Sequence, residues 1–254
     1  MPEVVLVSVD GPVRSITLNR PEKRNALNGE MLDALHAAFS EPPGGEERLV
    51  VLRSNGPVFC AGLDLRERQA DGTVGASSPI EKVLHAVEHH PLPVVAVVQG
   101  DAIAGGNELA LHCDFVVAST DARFGMSLAQ IGLAPTWFLA KKLLEVAGPV
   151  AAREILLLGD AVPAQQMRDY NIIARAVEPS ALQEVAQAII DRLAANAPLS
   201  LRAMKALLVR EMQFRDGIAH EDVDALVAAA RTSADAREGI AARLEKRAPR
   251  FTGQ

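Results

Sequence analysis

The chain predicts an α/β fold followed by a helical C-terminal region, and three observations carry that prediction. Short Val/Ile/Leu-rich runs alternate with helix-patterned stretches through the first half. One of those runs, Pro93–Val98, is apolar without alternation, as expected for a strand buried on both faces. From Leu139 onward the apolar residues fall at helical spacing in one segment after another. Strands alternating with helices, then a block of helices, make an α/β core with an appended helical region. The boundary is placed between residues 1–197 and 198–254.

Taken in order, Val4–Val9 and Ser15–Leu18 read as strands joined in a hairpin across Asp10-Gly11-Pro12. A helix over Gly29–Phe39 has Asn28 as its N-cap and stops before Pro42-Pro43-Gly44-Gly45. Leu49–Leu52 is the next strand, and Ser54-Asn55-Gly56-Pro57 the turn after it. Residues 71–79 are polar and small, the pattern of a mobile surface loop. Pro79–His89 reads as a helix capped by Ser78 with Pro79 in its first turn. Gly105–Cys113 is predicted helical and Phe115–Ala118 extended. The helical block comprises Leu139–Val146, Val150–Leu158, Ala164–Tyr170, Ala181–Ala197, Leu199–Phe214, His220–Arg231 and Asp235–Lys246. Ser180-Ala181-Leu182-Gln183 matches a capping box ahead of the fourth of these.

Composition limits the function. A chain of 254 residues, 49% hydrophobic and 23% charged, suits one large globular domain or a domain with an appendage. Its net charge of −6 argues against general binding to nucleic acid or anionic membranes. No apolar run reaches membrane-spanning length, and no basic segment precedes the Val-rich start as a signal peptide requires. Two cysteines, Cys60 and Cys113, are no disulfide framework, so a reducing, cytoplasmic setting is expected.

Two segments combine glycine with a break between elements: Phe59-Cys60-Ala61-Gly62-Leu63-Asp64-Leu65, and Gly100 through Leu109 just after the buried strand. A strand-to-helix junction leaves backbone N–H groups without helical partners, and glycine lets another group approach them. Two such donors from separate segments can hold an oxyanion, each contributing about 3 kcal/mol to the transition state. Ordinary turns use glycine in the same way, so the residues alone leave both readings open. Gly100–Gly106 lacks the Lys-Ser/Thr of a phosphate loop and the spacing of a dinucleotide fingerprint. No Gly-x-Ser-x-Gly elbow occurs, and no His or Cys pair has metal-ligand spacing, so no metal is expected. Glu108, in the first turn after Gly105-Gly106, is either a partner for the helix N-terminus or a partly buried carboxylate able to move a proton.

These segments, together with Asn19-Arg20-Pro21-Glu22-Lys23-Arg24-Asn25-Ala26-Leu27, Cys113-Asp114, Ala122-Arg123-Phe124-Gly125, Gly132-Leu133, Arg237-Glu238-Gly239-Ile240 and Glu245-Lys246-Arg247, resemble the crotonase (enoyl-CoA hydratase/isomerase) superfamily in the expected order. The resemblance implies a spiral of β-β-α turns with C-terminal helices that build homotrimers, often paired into hexamers. It implies an acyl thioester of coenzyme A as substrate, with coenzyme A present as part of that substrate and no permanently bound cofactor. Carried over residue by residue, the backbone N–H groups of Leu63 and Gly105 would hold the thioester oxygen and Glu108 would be the catalytic acid. Ala61, Asp64 and Leu65 match the lining of the adenine pocket, and Arg24 a position near the coenzyme A phosphates. Lys246 matches a basic residue that reaches coenzyme A, usually from a neighbouring subunit; a solvated charge on a helix end is the plainer reading.

One departure bears on the reaction. Hydratases of this family pair two glutamates around a water; Glu108 matches the first, and Leu128 stands where the second is expected. Thr136 stands where some isomerases carry an aspartate. Hydratase/isomerase chemistry through Glu108 is the leading expectation. Decarboxylation of a malonyl-type thioester, which needs only the oxyanion donors, is the alternative, and a silent acyl-CoA-binding oligomer is a further one. Trp137 and Phe138 would line the acyl pocket or, more simply, join the core. The net charge also hides a polarity: Arg20, Lys23 and Arg24 cluster near the start, and Arg237, Arg243, Lys246, Arg247 and Arg250 near the end.

Overall fold

The computed structural model describes residues 3–67 and 78–253. Strands β1 (Val5–Asp10) and β2 (Val13–Leu18) form the expected antiparallel hairpin, with Asp10 opposite Val13. Strands β3 (Leu49–Ser54), β4 (Val94–Val98), β6 (Phe115–Ser119) and β9 (Arg175–Val177) then add in parallel, giving a six-stranded sheet in the order β1-β2-β3-β4-β6-β9. Short strands β5 (Ala102–Ile103), β7 (Arg123–Gly125) and β8 (Val162–Pro163) make a second sheet in the order β5-β7-β8.

The two sheets are built turn by turn. Each long strand is followed by a short extended stretch and then a helix. The first turn uses β2, Leu27 and helix α1 (Gly29–Ser40); the second uses β3, Cys60 to Leu63, and helix α2 (Glu81–Glu88); the third uses β4, β5 and helix α3 (Gly105–Leu111). The short stretches pair in the same succession, Leu27 with Leu63, Cys60 with Ala102, and β5 with β7. This is the β-β-α spiral expected from the sequence.

Burial explains why the central strands carry no polar face. Val50, Leu52, Val94, Ala96, Val98, Val116 and Ala118 point into the main core, which α1, α2 and α3 cover. The intervening Leu49, Val51, Val95, Val97 and Val117 point the other way, onto Leu182, Ala186, Ile190 and Leu193 of helix α6. The strand period of two thus feeds two apolar layers, as a sheet covered on both faces requires.

The helices after β7 are α4 (Trp137–Arg153), α5 (Ala164–Asp169), α6 (Leu182–Ala195), α7 (Pro198–Glu211), α8 (Glu221–Thr232) and α9 (Ala234–Glu245). None of them is long and apolar enough to cross a membrane. Several expectations are corrected. The Ser180–Gln183 capping box does not form: Pro179–Ala181 is a 3₁₀ turn, α6 starts at Leu182 without a side-chain cap, and Gln183 instead accepts a bond from Arg53 (2.7 Å). Ser78 does not cap α2, which begins at Glu81; its backbone N–H donates to the Glu81 carboxylate at 3.2 Å, the reverse half of a capping box. The pair Leu139–Val146 and Val150–Leu158 is one kinked run, turned at Gly148 (φ +67°) and Pro149 and ending in a π-helical turn over Glu154–Leu158. Strands β5, β7, β8 and β9 have only two or three residues each, too short to leave a periodic signal. The polar loop 71–79 falls mostly outside the described residues.

Helix α7 is tied to the core by a buried charge. Lys205 of α7 is 7% exposed, and its Nζ donates to the Asp114 carboxylate (2.7 Å) and to the Leu92 carbonyl (3.1 Å). The same Asp114 oxygen accepts the Val94 N–H at the start of β4 (2.7 Å). Removing one partner strands the other, which costs about 3 kcal/mol or more in buried pairs. Lys205→Ala is therefore expected to lower the unfolding free energy by about 2–3 kcal/mol, and equilibrium unfolding in urea measures it.

Candidate active site

Three short segments lie side by side at one end of the sheet. Ala61 N–H donates to the Arg24 carbonyl (3.0 Å), Leu27 N–H to Gly62 (2.8 Å) and Asp64 N–H to Leu27 (2.9 Å). On the other side Cys60 N–H donates to Asp101 (3.1 Å) and Ile103 N–H to Cys60 (2.9 Å). The first segment is stapled by Asn25, fully buried, whose amide donates to the Asn55 and Val58 carbonyls and whose Oδ1 accepts the Arg20 N–H.

The approach is close enough to require glycine. Gly62 has φ +87°, and a Cβ there would sit 2.8 Å from the Ile103 carbonyl and 3.1 Å from the Gly105 nitrogen. A Cβ on Gly106 would meet the Cys60 carbonyl at 2.2 Å. Between them Ala104 turns the chain into α3 with φ +48° and ψ −116°, its N–H held by the Gly125 carbonyl at 2.7 Å. The result brings Leu63 and Gly105 together on the wall of one cavity of about 90 Å³. Neither N–H takes part in the backbone bonds between elements of the described residues, and Gly105, the first residue of its helix, has no intrahelical acceptor.

Glu108 lies one turn into α3, and its side chain reaches the same cavity at 7% exposure. Burial, with some repulsion from Glu81, pushes its carboxyl up to about 8, against a smaller opposing pull from Arg231. Its buried Oε1 has no hydrogen-bond partner among the described residues. The group is thus a neutral acid at neutral pH, on a wall that is apolar at Leu63, Ile103, Met126, Leu128, Leu133 and Leu139 and also carries Ser78, Ser127, Arg231 and Arg243. Of the two places left open for Glu108, it occupies that of a buried carboxyl on the cavity wall.

A groove of about 810 Å³ adjoins the cavity and shares Ala61, Leu63, Leu65 and Ile103 with it. Arg24, Ala61, Asp64 and Leu65 line it together, so four of the five residues matched to coenzyme A contacts converge. Arg24 is 63% exposed there, 3.9 Å from Asp101; Asp64 is held by Arg20 at 3.7 Å. Lys246 does not line the groove of its own chain: it is the exposed C-cap of α9, at φ +57°.

Other candidates separate cleanly. Leu128 lines the cavity, so the position expected for a second acid is filled by hydrocarbon. Thr136 caps α4 by accepting the Leu139 N–H, outside the cavity wall. Trp137 stacks on His220 and Phe138 on His112, so neither lines the cavity. Two basic residues were missed. Arg231 of α8, 5% exposed, lines the cavity with Glu108, and Arg243 of α9 lines both cavity and groove and donates to the Ser127 hydroxyl (2.9 Å). Arg231 follows Val223 and Val227 at four-residue steps; a charge in an apolar register was the available signal.

Known proteins place this geometry. Residues 9–254 match the family model described as enoyl-CoA hydratase/isomerase. A protein of Thermus thermophilus named putative enoyl-CoA hydratase is 37% identical, across 95% of this chain and 98% of that one. The 1,2-epoxyphenylacetyl-CoA isomerase of Escherichia coli is 34% identical over the full length of both. Among solved structures, methylmalonyl-CoA decarboxylase in complex with 2-nitronate-propionyl-CoA superimposes with a TM-score of 0.92 at 25% identity, covering 99% of each chain. The chain belongs to the enoyl-CoA hydratase/isomerase family.

Proposed function

We propose that this enzyme moves a proton on an acyl-CoA thioester with Glu108 as its one acid–base group, an isomerase-type reaction. The observation that carries the reading is the meeting of Leu63, Gly105 and the buried Glu108 on one cavity wall. The thioester oxygen accepts the Leu63 and Gly105 N–H groups. Ionised Glu108 takes a proton from the α carbon of a 3-enoyl thioester, and the electron pair moves into the carbonyl as an enolate held by those donors. The same carboxyl returns the proton at the γ carbon, and the double bond ends in conjugation. Adding water would call for a second positioned group, and Leu128 occupies that place.

The groove holds coenzyme A in this reading. Arg24 meets its phosphates, Ala61, Asp64 and Leu65 the adenine, and Lys246 reaches the groove of a neighbouring copy. The helical region 198–254 serves assembly into a homotrimer or homohexamer. Its support is the outer side of α7 and the turn after it, where Leu199, Leu207, Leu208 and Phe214 are 63–78% exposed. Cys60 and Cys113, both free and buried, suit a reducing cytoplasm.

Decarboxylation is the second reading, favoured by the protonated state of Glu108. A carboxylate on the α carbon would leave as carbon dioxide, its electron pair would form the same enolate, and the Glu108 carboxyl would protonate it. The pH profile separates the two. Isomerisation begins with carboxylate, so kcat/KM is expected to rise with pH through a midpoint near 8 and level off above it; quenching by the acid would make it fall through the same midpoint. Assays with a 3-enoyl-CoA and with methylmalonyl-CoA supply the profiles. Glu108→Gln is expected to cut turnover about 10²–10⁴-fold at unchanged affinity for coenzyme A thioesters. Wild-type turnover in that variant would remove Glu108 from the mechanism, and binding without turnover of any thioester would leave a silent binder.

The same substitution has a stability readout. Between the model-compound value of 4.5 and about 8 the folded chain holds a proton on Glu108 that the unfolded chain has lost, so stability falls as pH rises through that window. Glu108→Gln is free of this loss. Its melting temperature relative to wild type is expected to be higher at pH 9 than at pH 5, by an amount equivalent to a few kcal/mol. For assembly, light scattering is expected to give three or six times the chain mass, and Leu208→Glu to reduce it.

A further inference from the structure

We propose that His85 and His89 form a surface site for a divalent ion of the late first-row transition metals, framed by the last turn of α2. Neither residue lines the cavity or the groove, so the site stands apart from the acyl-CoA reading.

Contrary to the expectation from sequence, one histidine pair does have metal-ligand spacing. His85 lies in the last turn of α2 and His89 is its C-cap, four residues on and on the same face. Both are exposed, and their rings stack with centroids 3.9 Å apart and planes inclined by 11°. His89 Nδ1 lies 3.0 Å from the His85 carbonyl, which only accepts, so that nitrogen carries the proton and Nε2 keeps its lone pair. A carbonyl behind one ring nitrogen is the arrangement that orients a histidine ligand and leaves its other nitrogen for a metal. That nitrogen meets the Gln213 amide at 3.4 Å, a long contact, and the His85 ring has no hydrogen bond to the described residues. An ion bonded to two imidazoles at about 2.0–2.1 Å needs their nitrogens about 3 Å apart, and a small tilt of the stacked rings supplies it.

The surroundings decide which ion and what it does there. The fields of Glu88 and Asp216 reach His85, and Lys141, whose field opposes theirs, is itself met by the Asp216 carboxylate. Imidazole nitrogen suits zinc, copper and nickel, whereas magnesium and calcium call for carboxylate and carbonyl oxygen. No group of three or more His, Cys, Asp or Glu side chains among the described residues makes a closed cage, so the ion keeps water in its other positions. The run His85-Ala86-Val87-Glu88-His89 has the His-x-x-Glu-His order of a class of zinc proteases. Here, however, the Glu88 carboxylate is taken by Lys142 at 2.7 Å and is not free to activate water; the site binds and does not hydrolyse.

Copper(II) chloride is the probe, because affinities of nitrogen sites peak at that ion. Calorimetric titration of the untagged chain is expected to find one copper ion per chain, and electron paramagnetic resonance of the complex to show two coordinated nitrogens. His85→Asn and His89→Asn are each expected to weaken binding at least about tenfold, since even groups that only orient a ligand are worth that much. His36→Asn, at an exposed histidine of α1, is expected to leave it unchanged. No binding, a complex with fewer than two nitrogens, or undiminished binding in either variant at the pair overturns the proposal. The nitrogen count comes from the wild-type chain, so an unstable variant leaves the test standing.

Discussion

The close contact of Gly62 with the Ile103–Gly105 backbone is the constraint on which the rest of the site depends. Three segments from successive turns of the spiral are held in contact by main-chain bonds, and no side chain fits between them at Gly62 or Gly106. The geometry forces positive φ on Gly62, where it is free of steric cost, and on Ala104, where such a conformation costs about 1–3 kcal/mol. That strain is held by a bond to Gly125 and by the core packed behind α3, every residue of which is buried. A helix that starts inside the protein leaves its first N–H groups aimed at whatever space remains. It also carries the residue one turn on, Glu108, into the interior with it.

Burial then determines the chemistry of the charges. Glu108 and His112 lie four residues apart on α3 and respond oppositely to the same cause. Desolvation raises the carboxyl to about 8 and lowers the imidazole to about 4, so both are neutral at neutral pH. The His112 Nδ1 lies 2.7 Å from the Glu108 carbonyl, which can only accept, so that nitrogen carries the proton. The helix therefore presents a protonated acid on one side and a neutral, stacked ring against Phe138 on the other. Only the acid faces the cavity on whose wall Leu63 and Gly105 also lie, while the histidine packs against Phe138.

The spiral's long strands, its first helices and its glycine junctions were legible because each leaves a local mark. Val94–Val98 reads as two-sided because both its faces are apolar, and Asn28 caps α1 as the sequence implies, accepting the Met31 N–H. The short strands β5, β7, β8 and β9 left no mark, since two or three residues cannot show a period. The caps at Ser78 and Ser180 misled because a capping pattern does not say which residue begins the helix; tertiary packing moved each start one or two residues on. Glu108 was legible as a candidate, but its protonation was not. That depends first on burial under segments distant in sequence, and then on Glu81, which raises it, and Arg231, which lowers it. Arg231 and Arg243 escaped for the same reason: the folding of α8 and α9 over the cavity is a long-range fact.

Net charge is the property whose meaning changes most once the pairs are known. The basic clusters near the two ends of the chain suggest polarised surfaces, yet much of that charge is met locally. Arg20 lies 3.7 Å from Asp64, and Arg247 pairs with both Glu238 and Glu245. The groove lining itself balances Lys23, Arg24, Arg66 and Arg243 against Glu22, Asp64, Glu67 and Asp160. A polyanion entering such a groove meets no uniform positive field that would draw it from a distance. What such a groove can hold is decided by individual side chains rather than by a summed field, and Arg24, 63% exposed and 3.9 Å from Asp101, is one that reaches solvent.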